Sequence, residues 1–299
     1  MAKHIVVLMG GMSSEREVSL RSGAAVAKAL KTKDYKVSEI DVSHDLPAQL
    51  LAVRPDICFI ALHGTYGEDG CVQGLLEIMG IPYTHSPVTA SAIAMDKEIT
   101  QNIFKNAGLK IADSLAAEID EISIKFMPLP FVVKPVSEGS SVGVYIIRDE
   151  KDLLLAKKEW KYGRAIVEKF IEGAELSVAV LNGKALGVIE LRPKQGFYTY
   201  ENKYTDGKTE HLMPAPLADN LSKTVMNMAE IAHRVLKCSG LSRSDFRYDG
   251  KDFYILELNT HPGMTELSLV PEIASFAGIN FENLVENLVK NARLHNMKG

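Results

Sequence analysis

Arg243, Asp245, Glu257 and Asn259 fall in two adjacent strand-like segments joined by a turn. Successive side chains on a strand point to opposite faces, so Arg243 and Asp245 share one face, as do Glu257 and Asn259 in the run Phe253–Asn259. Folded back on each other, the segments can gather two carboxylates and a carboxamide. These oxygen donors are costly to bury unless a hard cation such as Mg²⁺ compensates them. An arginine beside them can bind a phosphate, which points to a nucleotide-phosphate site rather than a structural metal. The alternative is a solvent-facing ladder in which Arg243 pairs with Glu257. A shared site requires odd positions to pair with odd, such as Arg243 opposite Glu257, and excludes a regular two-residue turn at Asp249–Gly250.

Two further segments carry compatible chemistry. Pro262–Thr265 forms a turn just past the second strand, where Gly263 lets a backbone N–H approach a reacting centre, and Ser268 lies beyond it. Glu138–Gly143 offers two glycines and two hydroxyls between strands, enough N–H groups to cradle a phosphate, with Lys97 and Lys134 as sources of positive charge. It lacks the GKS or GKT of a P-loop, and by itself reads more readily as a Gly/Ser hairpin turn than as a phosphate cradle.

The elements that must position these residues follow from periodicity. His4–Met9 reads as a buried strand, followed by Gly10–Gly11, a Ser13–Ser14 cap and a helix from about Glu15 to Lys31. Strands near 36–41 and 56–62 follow, the latter running into His63–Gly70 and a helix. Alternating strands and helices predict a parallel sheet with its ligand crevice beyond the carboxyl ends of the strands. The Gly10–Gly11 spacing is not that of a dinucleotide fold. Glu15 either serves the helix dipole or faces a ligand in the crevice.

From Lys97 the pattern changes to a helix and then strands at 131–135, 142–147, 165–170 and 175–181, predicting a small antiparallel domain. We divide the chain at 1–96, 97–178 and 179–299. The last part holds strand 185–191, a polar connection over 195–211 whose four aromatics read as a lid, a helix near 217–238, the acidic hairpin and a helix near 281–294. The fold class is therefore α/β, with α+β character in the central and C-terminal parts.

Composition excludes other classes. A hydrophobic content of 46% suits a globular protein of this length, and a net charge of −4 with pI near 6.1 gives no footprint for nucleic acid or anionic membrane. Cys58, Cys71 and Cys238 are odd in number and widely spaced, fitting reduced thiols rather than a disulfide framework or a metal site. The apolar run Ile5–Met9 is too short to span a bilayer, so a cytoplasmic enzyme is expected.

Taken in order, Gly10–Glu15, His63–Gly70, Ala94–Lys97, Glu138–Gly143, Glu168–Ile171, Arg243-x-Asp245, Glu257-x-Asn259, Pro262–Thr265 and Leu269–Pro271 resemble the ATP-grasp enzymes, and within them the D-alanine:D-alanine ligase family. The resemblance implies an N-terminal α/β domain followed by a two-part ATP-grasp fold. It further implies ligation of two D-alanines through an acyl phosphate, with release of ADP and phosphate, for peptidoglycan precursor synthesis. Lys97 and Lys134 would contact the phosphates of ATP, Glu168, Lys169 and Ile171 the adenine, and Glu175 the ribose. Asp245, Glu257 and Asn259 would bind two Mg²⁺, with Mn²⁺ a possible substitute. Glu15, Ser140 and Tyr204 would form a hydrogen-bonded set, and His63 would lie near the first D-alanine. Lys203, Ser268 and Leu269 would position the second substrate or the lid, while Arg243 and the Gly263 N–H would stabilise the oxyanion. A homodimer is implied as well.

Two features depart from the family pattern: Ser242 and Ser244 flank Arg243, and His261 stands where an apolar residue is more usual. His261 reads as a supporting or exposed imidazole rather than a metal ligand, because oxygen donors already suffice. Competing functions are an ATP-grasp ligase of other substrates, including one forming a D-alanyl-D-lactate ester, and a non-catalytic nucleotide sensor. A dehydrogenase is the third. Tyr204, where ester-forming relatives have Phe, favours an amine acceptor, and the retained Arg243 and acidic residues favour catalysis.

Overall fold

The computed structural model describes residues 2–139, 142–193, 209–265 and 268–295. Ser140, Lys203, Tyr204 and most of the expected lid lie outside them. Strand β1 (His4–Met9) is the centre of a parallel sheet of order β2-β1-β3, with β2 at Lys36–Asp41 and β3 at Ile57–Ile60. Its unbroken apolar run follows from burial on both faces. Ile5 and Val7 pack toward helix α1 (Arg16–Lys31), whereas Val6 and Leu8 pack toward Leu46 and Leu50 of α2 (Leu46–Val53) and Leu76 of α3 (Cys71–Met79). The expected serine cap is not made. Glu15 takes the N-cap position, while the Ser13 hydroxyl accepts from the Glu15 N–H at 3.2 Å and donates to the His63 carbonyl at 2.7 Å, tying two crevice loops together.

Helices α4 (Val88–Met95) and α5 (Lys97–Asn106) meet at Asp96, whose carboxylate caps α5 by accepting from the Ile99 N–H at 2.9 Å. A four-stranded antiparallel sheet of order β4-β7-β5-β6 follows, from β4 (Ser114–Ala117), β5 (Phe131–Pro135), β6 (Tyr145–Ile147) and β7 (Ala165–Lys169), backed by α6 (Glu150–Glu159). The next sheet has the order β10-β9-β8-β11-β12: β8 is Ala174–Leu181, β9 Lys184–Pro193, β10 Thr209–Leu212, β11 Leu241–Tyr248 and β12 Phe253–Asn259.

The boundary expected at 178 cuts through β8, which pairs along its length with β9 and β11 and not with β7. The change of sheet falls at 170–173 instead. Gly173 lies there with φ of +129°, and a Cβ on it would sit 2.0 Å from the Tyr248 carbonyl oxygen, so the crossing requires glycine. Helix α5 touches the small sheet through Gln101, which bonds to Glu168 and Ser114, but buries its apolar side elsewhere. Its Phe104 joins Leu176, Val178, Phe246 and Ile255 in one core, together with Val225 of α7 (Asp219–Val235). Helices α8 (Leu269–Phe276) and α9 (Phe281–Lys290) fold back onto the N-terminal sheet, placing Leu284 and Leu288 in the core with Ile5 and Val26.

Candidate active site

The floor of the site is the β11–β12 hairpin. Tyr248 pairs with Phe253 around a four-residue loop in which Asp249 accepts from the N–H groups of Lys251 and Asp252. Continued regularly, that register would set odd against even. A bulge at Leu256 corrects it, so that Asp245 faces Glu257 and Arg243 faces Asn259. The odd-with-odd requirement is met, but through the pairs 245/257 and 243/259 rather than Arg243 opposite Glu257. The bulge also turns Leu256 toward the same side as Glu257, while Ile255 and Leu258 are buried beneath.

Arg243 is bound in two-pronged fashion by Asp245, Nε to Oδ1 and Nη2 to Oδ2, both at 2.8 Å, and Ser177 donates to Asp245 Oδ1 at 2.6 Å. The ion pair considered between Arg243 and Glu257 is thus replaced by one along a single strand. Glu257 Oε2 lies 3.7 Å from Lys97 Nζ, and Asn259 Oδ1 accepts from the His261 N–H at 2.7 Å. Two carboxylates and an amide oxygen on one face fit a hard cation whose other ligands are phosphate oxygens and water. Among the described residues no group of three His, Cys, Asp or Glu side chains is placed to hold a metal without such help.

Above this floor a cavity of about 400 Å³ opens between the two antiparallel sheets. Lys97, Lys134, Glu168, Lys169, Ile171, Glu175, Asp245 and Glu257 all line it, which gathers every residue expected at the nucleotide. Lys134 Nζ lies 2.6 Å from Glu168 Oε1 deep in its wall. Lys97, the first residue of α5, donates to the Glu138 carbonyl, and burial lowers its pKa against the opposing pull of Glu257. Arg247 faces Glu175 at 3.6 Å and lies over the Phe170 ring. Sequence reading missed Gln101, Phe170, Arg247 and Leu256; of these Arg247 carried a signal, standing two residues after Asp245 on the same strand face.

A second, smaller cavity of about 70 Å³ lies on the other side of Lys97, Glu138 and Glu257, which line both. Glu15, His63, Arg243, Asn259 and Gly263 line it, together with Glu68, which sequence reading placed only within a loop. His63 Nε2 meets Ser22 Oγ at 3.2 Å and Nδ1 faces Glu68 Oε1 at 3.4 Å. Burial opposes a charged imidazole, but the Glu68 hydrogen bond and the charges of Glu68 and Glu15 outweigh it and raise the His63 pKa. Burial and the neighbouring Glu15 likewise raise Glu68.

Behind this cavity His261 is 2% exposed, which excludes the solvent-facing alternative. Its ring packs against that of His85, tilted by 33° with centroids 4.7 Å apart, and its Nε2 meets Gln73 Nε2 at 3.3 Å. Burial, with His85 and His63 nearby, holds its pKa well below the usual value. Ser268 accepts from the Thr265 N–H at 3.0 Å and stands against Gly263, where an added Cβ would come within 2.8 Å of its Oγ. Leu269 departs from expectation: it is packed in the core with Ile273 and Val270 and lines neither cavity.

Comparison with known proteins bears on the whole chain. Residues 97–290 match the family described as D-ala D-ala ligase C-terminus, and residues 4–49 and 47–86 match D-ala D-ala ligase N-terminus. A D-alanine–D-alanine ligase of Rickettsia canadensis is 49% identical over 295 residues, covering 97% of this chain and 83% of the relative. A solved D-alanine–D-alanine ligase of Bacillus anthracis superposes with a TM-score of 0.87 at 35% identity, covering 97% of both chains. The same enzyme complexed with ATP gives 0.84 at 32% identity, again covering 97% of both chains. With both halves of one family matched in order, and a relative this similar from end to end, the chain belongs to the D-alanine–D-alanine ligase family.

Proposed function

We infer that the protein joins two D-alanine molecules to D-alanyl-D-alanine at the expense of ATP, as a step toward peptidoglycan. The observation that carries this reading is the junction of the two cavities at Lys97, Glu138 and Glu257. A nucleotide in the larger cavity with its phosphates toward Lys97 would present its terminal phosphate to a small carboxylate held in the smaller one. A carboxylate is a poor acyl donor, and phosphorylation to an acyl phosphate makes it a good one.

Each residue then has a part. Lys97 and Lys134 bind phosphate oxygens, Glu168, Lys169 and Ile171 the base, and Glu175 the ribose. Asp245, Glu257 and Asn259 hold two Mg²⁺ ions, which Mn²⁺ can replace and which neutralise charge on the phosphates when bound. His63, its pKa raised by Glu68 and Glu15, orients the first D-alanine. Arg243 and the Gly263 N–H receive the oxyanion formed when the second amine attacks. Ser268 positions the Gly263 turn by its bonds to Thr265. Ser140, Lys203 and Tyr204 keep the roles implied by resemblance.

A cytoplasmic homodimer completes the reading; no helix among the described residues is long and apolar enough to cross a membrane. Measuring ADP release with D-alanine, D-serine, D-lactate and L-alanine in pairs tests reaction and substrate together. Turnover is expected to require D-alanine as the first substrate and to be fastest with D-alanine as the second. ADP release independent of any amino acid would overturn the assignment.

A further inference from the structure

Glu168 is 4% exposed and held from two sides through the same oxygen. Gln101 Nε2 donates to its Oε1 at 2.5 Å, and the Lys134 ammonium forms an ion pair with the same oxygen at 2.6 Å. A carboxylate whose one oxygen holds both a hydrogen bond and an ion pair cannot rotate without losing them. Its Oε2 has no hydrogen-bond partner among the described residues, and Glu168 lines the larger cavity. The cavity wall thus carries a fixed acceptor.

Gln101 is itself fully engaged. At 6% exposure it donates through Nε2 to Glu168 and accepts through Oε1 from the Ser114 hydroxyl at 2.8 Å. Because Glu168 can only accept, this assignment of the amide is the one that satisfies all three residues. Ser114 and Glu168 are directly paired across β4 and β7, so the amide bridges one rung of the small sheet. It does so from α5, four residues after Lys97 and on the same helical face. One helix therefore reaches the phosphate end of the cavity with its first residue and the far wall with its fifth.

We propose that Gln101 is a positioning residue for nucleotide selection, holding Glu168 so that its free oxygen accepts from a 6-amino purine and repels a 6-oxo purine. This rests on the assignment of Glu168 to the base. The 6-position of adenine donates where that of guanine accepts, and a buried acceptor facing an acceptor leaves both unpaired, the arrangement that discriminates most strongly between ligands of one shape. With Gln101 removed, Lys134 alone can hold Glu168 in more than one orientation.

The test compares ATP with GTP as phosphoryl donor, using saturating D-alanine and the full-length enzyme. For Gln101→Leu, kcat with ATP is expected to stay within about threefold, KM for ATP to rise about fivefold to tenfold, and the ATP/GTP ratio of kcat/KM to fall at least about fivefold. Ser114→Ala, which leaves the amide less constrained, should shift the ratio in the same direction by a smaller factor, and decides the matter if the leucine variant does not fold. Glu168→Gln should collapse the ratio, and Gln101→Leu added to it should change the ratio no further, since Gln101 acts through that carboxylate. A folded Gln101→Leu enzyme with an unchanged ratio, while Glu168→Gln lowers it, would overturn the proposal alone. An unchanged ratio in Glu168→Gln would remove the assignment of Glu168 and the proposal together.

Discussion

Glu257 is the residue on which the two cavities depend, for it lines both and stands 3.7 Å from the buried Lys97 ammonium. Glu257→Gln keeps the shape and deletes the charge. On our reading it removes a ligand for the cation and a partner of Lys97, so ligation should fall at least about a hundredfold while the thermal midpoint changes little. Steady-state ADP release across a magnesium titration checks this: near-normal turnover with an unchanged magnesium dependence would refute the metal role. At this scale the sequence was most readable where charge had to be explained. Two carboxylates, an amide and an arginine within seventeen residues announce a polar site because their burial needs compensation. Gln101 announces nothing: a neutral amide on a helix is common, and its importance appears only when the partners at both ends are known. Leu269 is ambiguous in another way, since a leucine at a helix start is equally suited to backing a substrate site or lid and to the core that it occupies.

At the scale of elements, the hairpin shows what spacing can and cannot establish. Parity was derivable: if 243, 245, 257 and 259 share a face, odd must meet odd. The place where the register changes was not derivable, because the loop at Asp249–Asp252 enforces the pair 248/253 and an apolar run such as Ile255–Leu256 gives no sign of which residue is extra. The bulge there has a functional consequence, presenting Leu256 and Glu257 side by side to the nucleotide cavity. Leu256→Ala should therefore leave the hairpin and the acidic set in place while removing apolar wall, weakening ATP binding by about 1 to 2 kcal/mol, roughly fivefold to thirtyfold in KM. KM for D-alanine should be unchanged. Equal loss for both substrates would mean that the bulge, rather than the wall, had been disturbed. The misplaced boundary at 178 has a similar origin. Strands β7 and β8 share period and composition, and only pairing with β11, some seventy residues downstream, assigns β8 to the later sheet.

Across the whole molecule the N-terminal sheet and the last two helices share one core, and the polar residues trapped at their junction set the acid limit of stability. His85 is fully enclosed against Phe59 and His261, its Nε2 has no partner among the described residues, and burial with the nearby His63 pushes its pKa down to about 3. In the unfolded chain the same group titrates near 6.5. Between these values the unfolded chain binds a proton that the folded chain refuses, so stability rises with pH and is lost on acidification below 6.5. His233, lowered by burial to about 4, acts in the same direction, as does His261. His63, raised, acts oppositely: its contribution is full below pH 6.5 and lost as pH rises through its folded value. His85→Phe keeps a ring between Phe59 and His261 and removes one proton-binding site from the unfolded chain. Loss of the His85 bond to Thr84 costs the variant at every pH and cancels when two pH values are compared. Urea denaturation at pH 7 and pH 4.5 should show wild type losing about 2 to 3 kcal/mol more between the two conditions than the variant does. Equal losses would mean that His85 is already protonated in the fold, with a proton acceptor at its Nε2.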